Sequence, residues 1–165
     1  MANTIRPMQF NDLDTVAAIE QKNQYTPWTQ QQFLESIEKD TAWVLYNDEA
    51  QLLGYIVFRI IIDEIELLNV SISSNCQRQG LGAQLLKTLI NEAQSLRKNK
   101  IFLEVRRSNF SAIQLYENNG FKMVGIRKEY YLTRQGREDA LVYGLDISIA
   151  VQDANLSFRA KREIS

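Results

Sequence analysis

The sequence predicts an α/β fold in which helices flank one central, twisted mixed sheet of about six to seven strands. The main support is residues 69–98, where the end of a strand, a glycine-containing turn and a long amphipathic helix follow one another. A short apolar strand comes next, at residues 101–105, and a strand–helix–strand order implies a parallel crossover. Other segments with strand character occupy residues 4–8, 42–46, 52–61, 65–73, 121–127 and 139–147.

The composition excludes several kinds of site. The 165 residues suffice for one domain, and 45% hydrophobic with 24% charged residues is ordinary for a folded protein. A net charge of −1 gives no overall attraction to nucleic acid. The sequence contains no histidine and only Cys76, so histidine triads, a zinc site and an internal disulfide are excluded. With no apolar run of membrane-spanning length and no signal-peptide pattern, we expect a cytoplasmic protein that binds no metal, membrane or nucleic acid.

The first third of the chain predicts a strand followed by two helices. Asn11 or Asp12 can cap the first helix, whose apolar positions are Leu13, Val16, Ala17 and Ile19. A proline-containing break follows, and Thr29 is a good N-cap for a second helix to about residue 38. The aromatic residues of the break, among them Trp28, either cover the core or contact a substrate.

The strand at residues 65–73 changes its alternation. Ile65 and Leu67 fall on one phase, whereas Leu68, Val70 and Ile72 fall on the other. One extra residue near Leu67–Leu68 predicts a β-bulge, although a strand buried on both faces would show a similar pattern.

The turn at residues 77–83 is a candidate anion site. Gly80 and Gly82 lack Cβ atoms and would let a ligand approach the backbone, and the first N–H groups of the following helix attract anions. A turn that only admits a closely packed helix would look the same. The predicted apolar face of the helix consists of Leu81, Leu85, Leu86, Leu89, Ile90, Ala93 and Leu96.

Glu104 is unusual because a carboxylate within a buried strand is costly unless it is paired or used in chemistry. Ser108 or Asn109 can cap the next helix, which Gly120 ends in a left-handed conformation, and Tyr116 shares a helix face with Asn109. The chain then predicts a final strand pair joined by a long polar connection that carries Tyr130 and Tyr131.

With these elements in order, residues 1–149 resemble the GCN5-related N-acetyltransferase (GNAT) superfamily, and residues 150–165 form an additional tail of unknown role. The similarity is greatest to the bacterial ribosomal-protein-alanine N-acetyltransferases. It rests on Pro27-Trp28, Gln77-Arg78-Gln79-Gly80-Leu81-Gly82, Leu103-Glu104-Val105-Arg106, Ser108-Asn109, Ala112-Ile113, Leu115-Tyr116-Glu117, Gly120-Phe121, Tyr130-Tyr131 and Gly136-Arg137-Glu138-Asp139-Ala140.

The resemblance implies acetyl-CoA as the acetyl donor. Backbone N–H groups at the turn would bind its diphosphate, from Arg78, Gln79, Gly80, Leu81, Gly82 and Ala83. The strand segment Val70, Ser71 and Ile72 would pair with the pantetheine amides and could polarise the thioester carbonyl. Asn109 matches a position that contacts the cofactor, but it is equally suited to capping its helix.

The resemblance also implies two catalytic residues. Glu104 would be the general base, directly or through a water, with its pKa raised by burial, and Tyr116 the acid toward the departing thiolate. We expect the two side chains to face each other across the thioester from one side of the sheet. Structural alternatives are an ion pair of Glu104 with Arg106 or Arg127, and a Tyr116 that only fills the core.

The implied acceptor is the N-terminal alanine of a basic small-subunit ribosomal protein, entering between Trp28 and the Tyr130–Tyr131 pair. Asp63, Glu64 and Glu66 could attract such a peptide, or could simply be solvated. Alternative functions are acetylation of lysine side chains or of a small amine, and an idle acyl-CoA-binding module. A monomer is the favoured state.

Overall fold

The computed structural model describes residues 2–148. These residues contain seven strands, which form one mixed sheet, and four α-helices. The predicted tail at residues 150–165 and the predicted domain end at residue 149 lie outside the described residues. Within the described residues the strand order is β1-β2-β3-β4-β5-β7-β6, and only the neighbours β4 and β5 run parallel. The strands are β1 (Thr4–Pro7), β2 (Thr41–Tyr46), β3 (Leu52–Ile61), β4 (Glu64–Ile72), β5 (Lys100–Arg106), β6 (Lys122–Thr133) and β7 (Gly136–Asp146). The predicted fold class is confirmed.

Two pairs of helices cover the two faces of the sheet. They are α1 (Leu13–Asn23) and α2 (Gln30–Lys39) on one face, and α3 (Leu81–Ser95) and α4 (Phe110–Asn118) on the other. Short 3₁₀ turns occur at Phe10–Asp12 and Ser74–Cys76. Among residues 2–148, no helix combines the length and the apolar character needed to cross a bilayer.

The predicted starts of α2 and α4 are confirmed by hydrogen bonds, whereas the predicted cap of α1 is wrong: Asp12 precedes Leu13 but makes no side-chain capping hydrogen bond, because its carboxylate pairs with Arg6. The Gln32 N–H donates to Thr29 Oγ1 at 3.2 Å, and the Thr29 N–H donates to Gln32 Oε1 at 2.8 Å, so α2 begins with a reciprocal capping box. Asn109 Oδ1 accepts from the Ala112 N–H at 3.2 Å at the start of α4. Gly120, with φ of +90°, lies just beyond the end of this helix.

The predicted β-bulge is also confirmed. Val57 of β3 lies opposite Asn69 and Phe58 lies opposite Leu67, so Leu68 is the extra residue of β4. Leu67 belongs to the core beneath α3 and α4, whereas Leu68 packs with the core beneath α1. The bulge therefore shifts the alternation of the strand just before the segment that leads to the glycine turn.

Two details of the predicted elements are wrong. Leu96 is 41% exposed because α3 ends at Ser95, which leaves this residue beyond the last buried turn. The expected polar connection around Tyr130 and Tyr131 is largely strand, since β6 and β7 continue to Thr133 and from Gly136. Only Arg134 and Gln135 lie between them, so the pair forms one long hairpin.

We predict that Gly54→Ala destabilises the protein, because a Cβ there would lie 2.6 Å from the Ser71 carbonyl oxygen and from Ile72 Cδ1. The expected loss is about 1–3 kcal/mol in the free energy of unfolding, measured by urea denaturation. Gly125→Ala is the matched control, since a Cβ there would lie 3.8 Å from Val142 Cβ, an ordinary van der Waals contact. Equal stability of the two variants would contradict the prediction.

Candidate active site

A gap opens in the sheet between β4 and β5. Their pairing ends at Leu67 and Leu103, although β4 continues to Ile72 and β5 to Arg106. On the other edge of β4 the Ser73 N–H donates to the Leu53 carbonyl at 2.7 Å. Because backbone groups alternate along a strand, the N–H groups of Val70 and Ile72 then face the gap.

The predicted strand segment thus contributes in two ways. Val70 and Ile72 present backbone to the gap, as expected for binding an extended amide chain. Ser71 instead turns its backbone toward β3, and its buried Oγ accepts a hydrogen bond from Asn23 Nδ2 at 2.6 Å. Asn23 Nδ2 also donates to the Ile72 carbonyl at 2.8 Å, which fixes this part of the strand to α1.

The glycine turn is open where an anion would bind. Residues 77–80 are exposed, and both Arg78 and Gly80 have left-handed backbones, with φ of +65° and +76°. A Cβ on Gly80 would meet nothing within 4 Å. The first N–H groups of α3 lie directly after this turn, and Gly80 has no side chain with which to cap them. The turn therefore suits a diphosphate.

Gly82 has a different reason for being glycine. A Cβ at this position would lie 3.2 Å from Leu115 Cδ2 and 3.9 Å from Ile72 Cγ1. Its missing side chain lets α3 pack closely against α4, which supports the helix-packing alternative at this position. Its N–H still belongs to the first turn of α3.

Glu104 is the first residue of β5 beyond the last pair with β4. Its Oε1 lies 3.0 Å from Arg127 Nε, and its side chain remains 26% exposed. Of the two arginines considered from sequence, Arg127 is the partner, while Arg106 pairs with Glu138. Glu104 is therefore accessible and loosely held, rather than enclosed.

Tyr116 is buried on the α4 side of the sheet. Its ring lies 5.9 Å from that of Phe121 and 6.5 Å from that of Tyr143. Burial, and to a lesser degree the charge of Tyr131, raises the pKa of Tyr116 above its ordinary value.

The expectation that Glu104 and Tyr116 act from one side of the sheet is wrong. Tyr143, which packs against Tyr116, lies opposite Leu103, and Glu104 follows Leu103 on the other face of β5. The opening between β4 and β5 is where one ligand could reach both faces of the sheet. Burial, and then the charge of the nearby Glu104, raise the pKa of Tyr131 above its ordinary value, so this phenol keeps its proton at neutral pH.

The predicted acceptor residues lie on the Glu104 face. Tyr130 and Tyr131 stack edge to face at 5.1 Å. Tyr130 is the last of three β6 residues, 128–130, that face Asp139 in a large bulge, and Tyr131 is the first paired residue after it. Trp28 packs against Phe33 at 5.2 Å and is half-buried on the core. The structure thus shows the core-covering role of Trp28, whereas Tyr130 remains 48% exposed.

Sequence reasoning missed Glu20, a buried carboxylate of α1. Glu20 Oε1 accepts from the Tyr55 hydroxyl at 2.7 Å and from Asn69 Nδ2 at 3.1 Å, and Oε2 accepts from the Trp28 N–H at 3.0 Å. It thereby ties β3, the bulge of β4 and the loop before α2 together. The available signal was a glutamate placed four residues after Val16 on an apolar helix face.

Comparison with known proteins gives a consistent result. The model of the acetyltransferase (GNAT) family matches residues 8–121. The [ribosomal protein bS18]-alanine N-acetyltransferase of Escherichia coli is 35% identical over 147 residues, which make up 89% of this chain and 99% of that protein. Its counterpart in Haemophilus ducreyi is 32% identical over 146 residues, covering 88% and 99%.

Solved structures share the fold. The crystal structure of the Escherichia coli ribosomal-protein-S18-alanine N-acetyltransferase has a TM-score of 0.81 at 36% identity, with 88% of this chain and 94% of that chain covered. Arabidopsis thaliana NAA60, solved in complex with acetyl-CoA, has a TM-score of 0.78 with 89% and 99% covered. At 15% identity the latter similarity concerns the fold alone.

We predict that Tyr55→Phe lowers the free energy of unfolding by about 1–3 kcal/mol, because a buried carboxylate loses a hydroxyl donor while the ring remains. Urea denaturation measures the change. Tyr130→Phe is the matched control, since Tyr130 is 48% exposed and is not part of the buried core. A Tyr55 variant as stable as the control would show that Glu20 needs no hydroxyl partner.

Proposed function

Because the chain belongs to the acetyltransferase (GNAT) family, we propose that it transfers acetyl from acetyl-CoA to the α-amine of a protein N-terminus, with the N-terminal alanine of a small-subunit ribosomal protein as acceptor. The sequence-based assignment to this family is confirmed. The observation that carries the proposal is the gap between β4 and β5, which has an open glycine turn at one end and Glu104 at its edge.

The residues around the gap fit acetyl-CoA, the donor that the GNAT family uses. The N–H groups of residues 78–83 and the positive end of the α3 dipole would hold the diphosphate. Val70 and Ile72 would bind the pantetheine amides as an added strand pairs with a sheet edge. Asn109 already caps α4, so any contact it makes with the donor comes in addition to that role. When bound, acetyl-CoA supplies an activated acetyl group on a thiol leaving group.

Glu104 would remove the proton from the acceptor amine, directly or through a water. An α-amine has a pKa of about 8, whereas a lysine ε-amine, at about 10.4, costs roughly 3 kcal/mol more to deprotonate. A partly exposed carboxylate beside the gap is therefore an adequate base for an α-amine. Its ion-pair partner Arg127 is 57% exposed, so the arginine can leave for water at little cost.

Tyr116 would act on the leaving sulfur from the opposite face. Its raised pKa means that the phenol keeps its proton at neutral pH and can donate a hydrogen bond to the developing thiolate. Because a thiol has an ordinary pKa of about 8.5, complete proton transfer from this phenol is unfavourable. We therefore place the contribution of Tyr116 mainly in that hydrogen bond.

The acceptor would approach on the Glu104 face, between the loop before α2 and the β6–β7 hairpin. Tyr131 lies beside Glu104 there, and Tyr130 is exposed for contact. Of the acidic residues at the β3–β4 turn, Glu64 pairs with Lys100 at 3.5 Å, which weakens its attraction for a basic peptide. A ribosomal acceptor would place the reaction in the cytoplasm.

The direct test uses the purified protein, acetyl-CoA and a peptide that begins with alanine and also contains a lysine. Mass-spectrometric fragmentation is expected to locate the acetyl group on the α-amine. Acetylation of the lysine would favour the side-chain function, and acetylation of a polyamine but not of the peptide would favour a small-amine enzyme. Binding of acetyl-CoA without release of CoA would indicate an idle binding module.

Glu104→Gln is expected to lower kcat/KM for the peptide by about 100-fold at neutral pH, because the amide cannot accept the proton. The loss should shrink above pH 9, where an α-amine with a pKa of about 8 is already neutral. Initial rates of CoA release from pH 6 to 10 measure this. Glu92→Gln, far along α3, is the control, and a pH-independent loss in the Glu104 variant would argue against a base.

Tyr116→Phe is expected to lower kcat by about tenfold to 100-fold while the dissociation constant of acetyl-CoA changes little. The phenol acts on charge that develops during the reaction, so binding of the donor does not need it. Steady-state rates and calorimetry provide the two measurements. Tyr143→Phe, in the same aromatic cluster, is the control for packing, and equal kcat values in both variants would exclude a catalytic phenol.

A further inference from the structure

Arg106 lies two residues beyond Glu104, on the same face of β5 and at the same edge of the gap. Its side chain is only 14% exposed. A guanidinium in this position would be costly to bury without several partners. The chemistry assigned to Glu104 and Tyr116 does not use it.

The partners of Arg106 belong to two separate segments. On one side, Nη2 donates to Thr26 Oγ1 at 2.8 Å, and the guanidinium carbon lies 5.4 Å from the centre of the Tyr25 ring. These residues form the loop between α1 and α2. On the other side, Nη1 donates to the Leu132 carbonyl at 2.7 Å, and the guanidinium carbon lies 4.4 Å from the centre of the Tyr131 ring. These residues belong to β6.

A further contact extends this connection to the start of α4. Arg106 Nη1 donates to Glu138 Oε1 at 3.2 Å. Glu138 in turn accepts from the Ser108 N–H at 3.0 Å and from the Ser108 hydroxyl at 2.9 Å. Ser108 immediately precedes Asn109, the N-cap of the helix that carries Tyr116. One side chain therefore joins both walls of the acceptor approach to the helix behind the gap.

We propose that Arg106 is a positioning residue for the acceptor peptide: it holds the Tyr25–Thr26 loop against the β6–β7 hairpin and so sets the width of the channel that leads to Glu104. This inference rests on the proposed function, because the channel is defined by the peptide that would use it. Arg106 touches neither the reacting amine nor the thioester, and it acts through the two walls.

The geometry requires arginine rather than any cation. A guanidinium can donate from two nitrogens to opposite walls while its flat faces stack on aromatic rings. A lysine ammonium retains the charge but carries its donors on a single atom, so it cannot span Thr26 and Leu132 while remaining beside Tyr131. Arg106→Lys therefore separates the role of shape from that of charge.

The kinetic test compares Arg106→Lys and Thr26→Val with the unchanged protein. Thr26→Val removes only the hydroxyl of the loop and keeps its volume. In each variant KM for the alanine-starting peptide is expected to rise by about tenfold, the effect of losing one charge-assisted hydrogen bond, with a smaller change in kcat. The dissociation constant of acetyl-CoA should stay the same. The peptide KM of the double variant should be no higher than that of Arg106→Lys alone, since both changes remove the same contact between Arg106 and Thr26.

Arg107→Lys is the matched control. Arg107 is the neighbouring residue, 54% exposed, and it pairs with Asp139 at 3.1 Å. Its substitution is expected to leave the peptide KM unchanged. An unchanged KM in the Arg106 and Thr26 variants, or a parallel loss of acetyl-CoA affinity, would overturn the proposal.

A second readout does not depend on catalysis. The sequence contains two tryptophans, and Trp43→Phe leaves Trp28 as the sole reporter on the loop. In that background Arg106→Lys and Thr26→Val are expected to increase acrylamide quenching of Trp28, whereas Arg107→Lys should not. If the variants increase quenching but the unchanged protein acetylates no peptide, the proposed function is rejected. The role of Arg106 in holding the loop against the hairpin is then still supported. Unchanged quenching would reject the role of Arg106 even in an active enzyme.

Discussion

The separation of β4 from β5 is the feature on which the rest of the site depends. Parallel pairing between them lasts for four residue pairs and stops at Leu67, where the extra residue Leu68 follows. A bulge bends and twists the strand that contains it, so β4 leaves its neighbour at that point. Backbone groups that would otherwise form sheet hydrogen bonds then become available to a ligand, which is the condition for binding an extended amide chain.

An open edge of this kind needs support from elsewhere in the fold. α1 supplies it through two polar residues on its inner face, Glu20 and Asn23, which hold Asn69, Ser71 and Ile72. A buried carboxylate is costly, but three hydrogen bonds to Glu20 offset that cost and connect the strand with the loop at Trp28. At the edge of β4 that faces β3, a Cβ on Gly54 would lie 2.6 Å from the Ser71 carbonyl oxygen, so this position has no room for a side chain.

The position of the two predicted catalytic groups on opposite faces has a chemical consequence. Glu104 shares its face with arginines and tyrosines and remains in contact with water, whereas Tyr116 is enclosed among Phe121 and Tyr143. Burial keeps the proton on the phenol, and exposure lets the carboxylate exchange Arg127 for a new cation. One sheet can thus offer the Glu104 carboxylate to the side of the gap where the amine would enter. It can offer the Tyr116 hydroxyl, a hydrogen-bond donor, to the side where acetyl-CoA would bind.

The sequence by itself determined the order and type of the elements, their caps at Thr29 and Asn109, the bulge near Leu68 and the family motifs. All of these depend on residues close together in the chain, where spacing and backbone preference act directly. Only the tertiary structure decided that Gly82 faces Leu115, that Glu104 pairs with Arg127, that Glu20 is buried and that Arg106 joins two distant segments. The contact of Glu20 with the Trp28 N–H spans 8 positions across a loop, and the other contacts of these residues span 23 to 80 positions. Local periodicity does not encode which distant side chain completes a hydrogen bond.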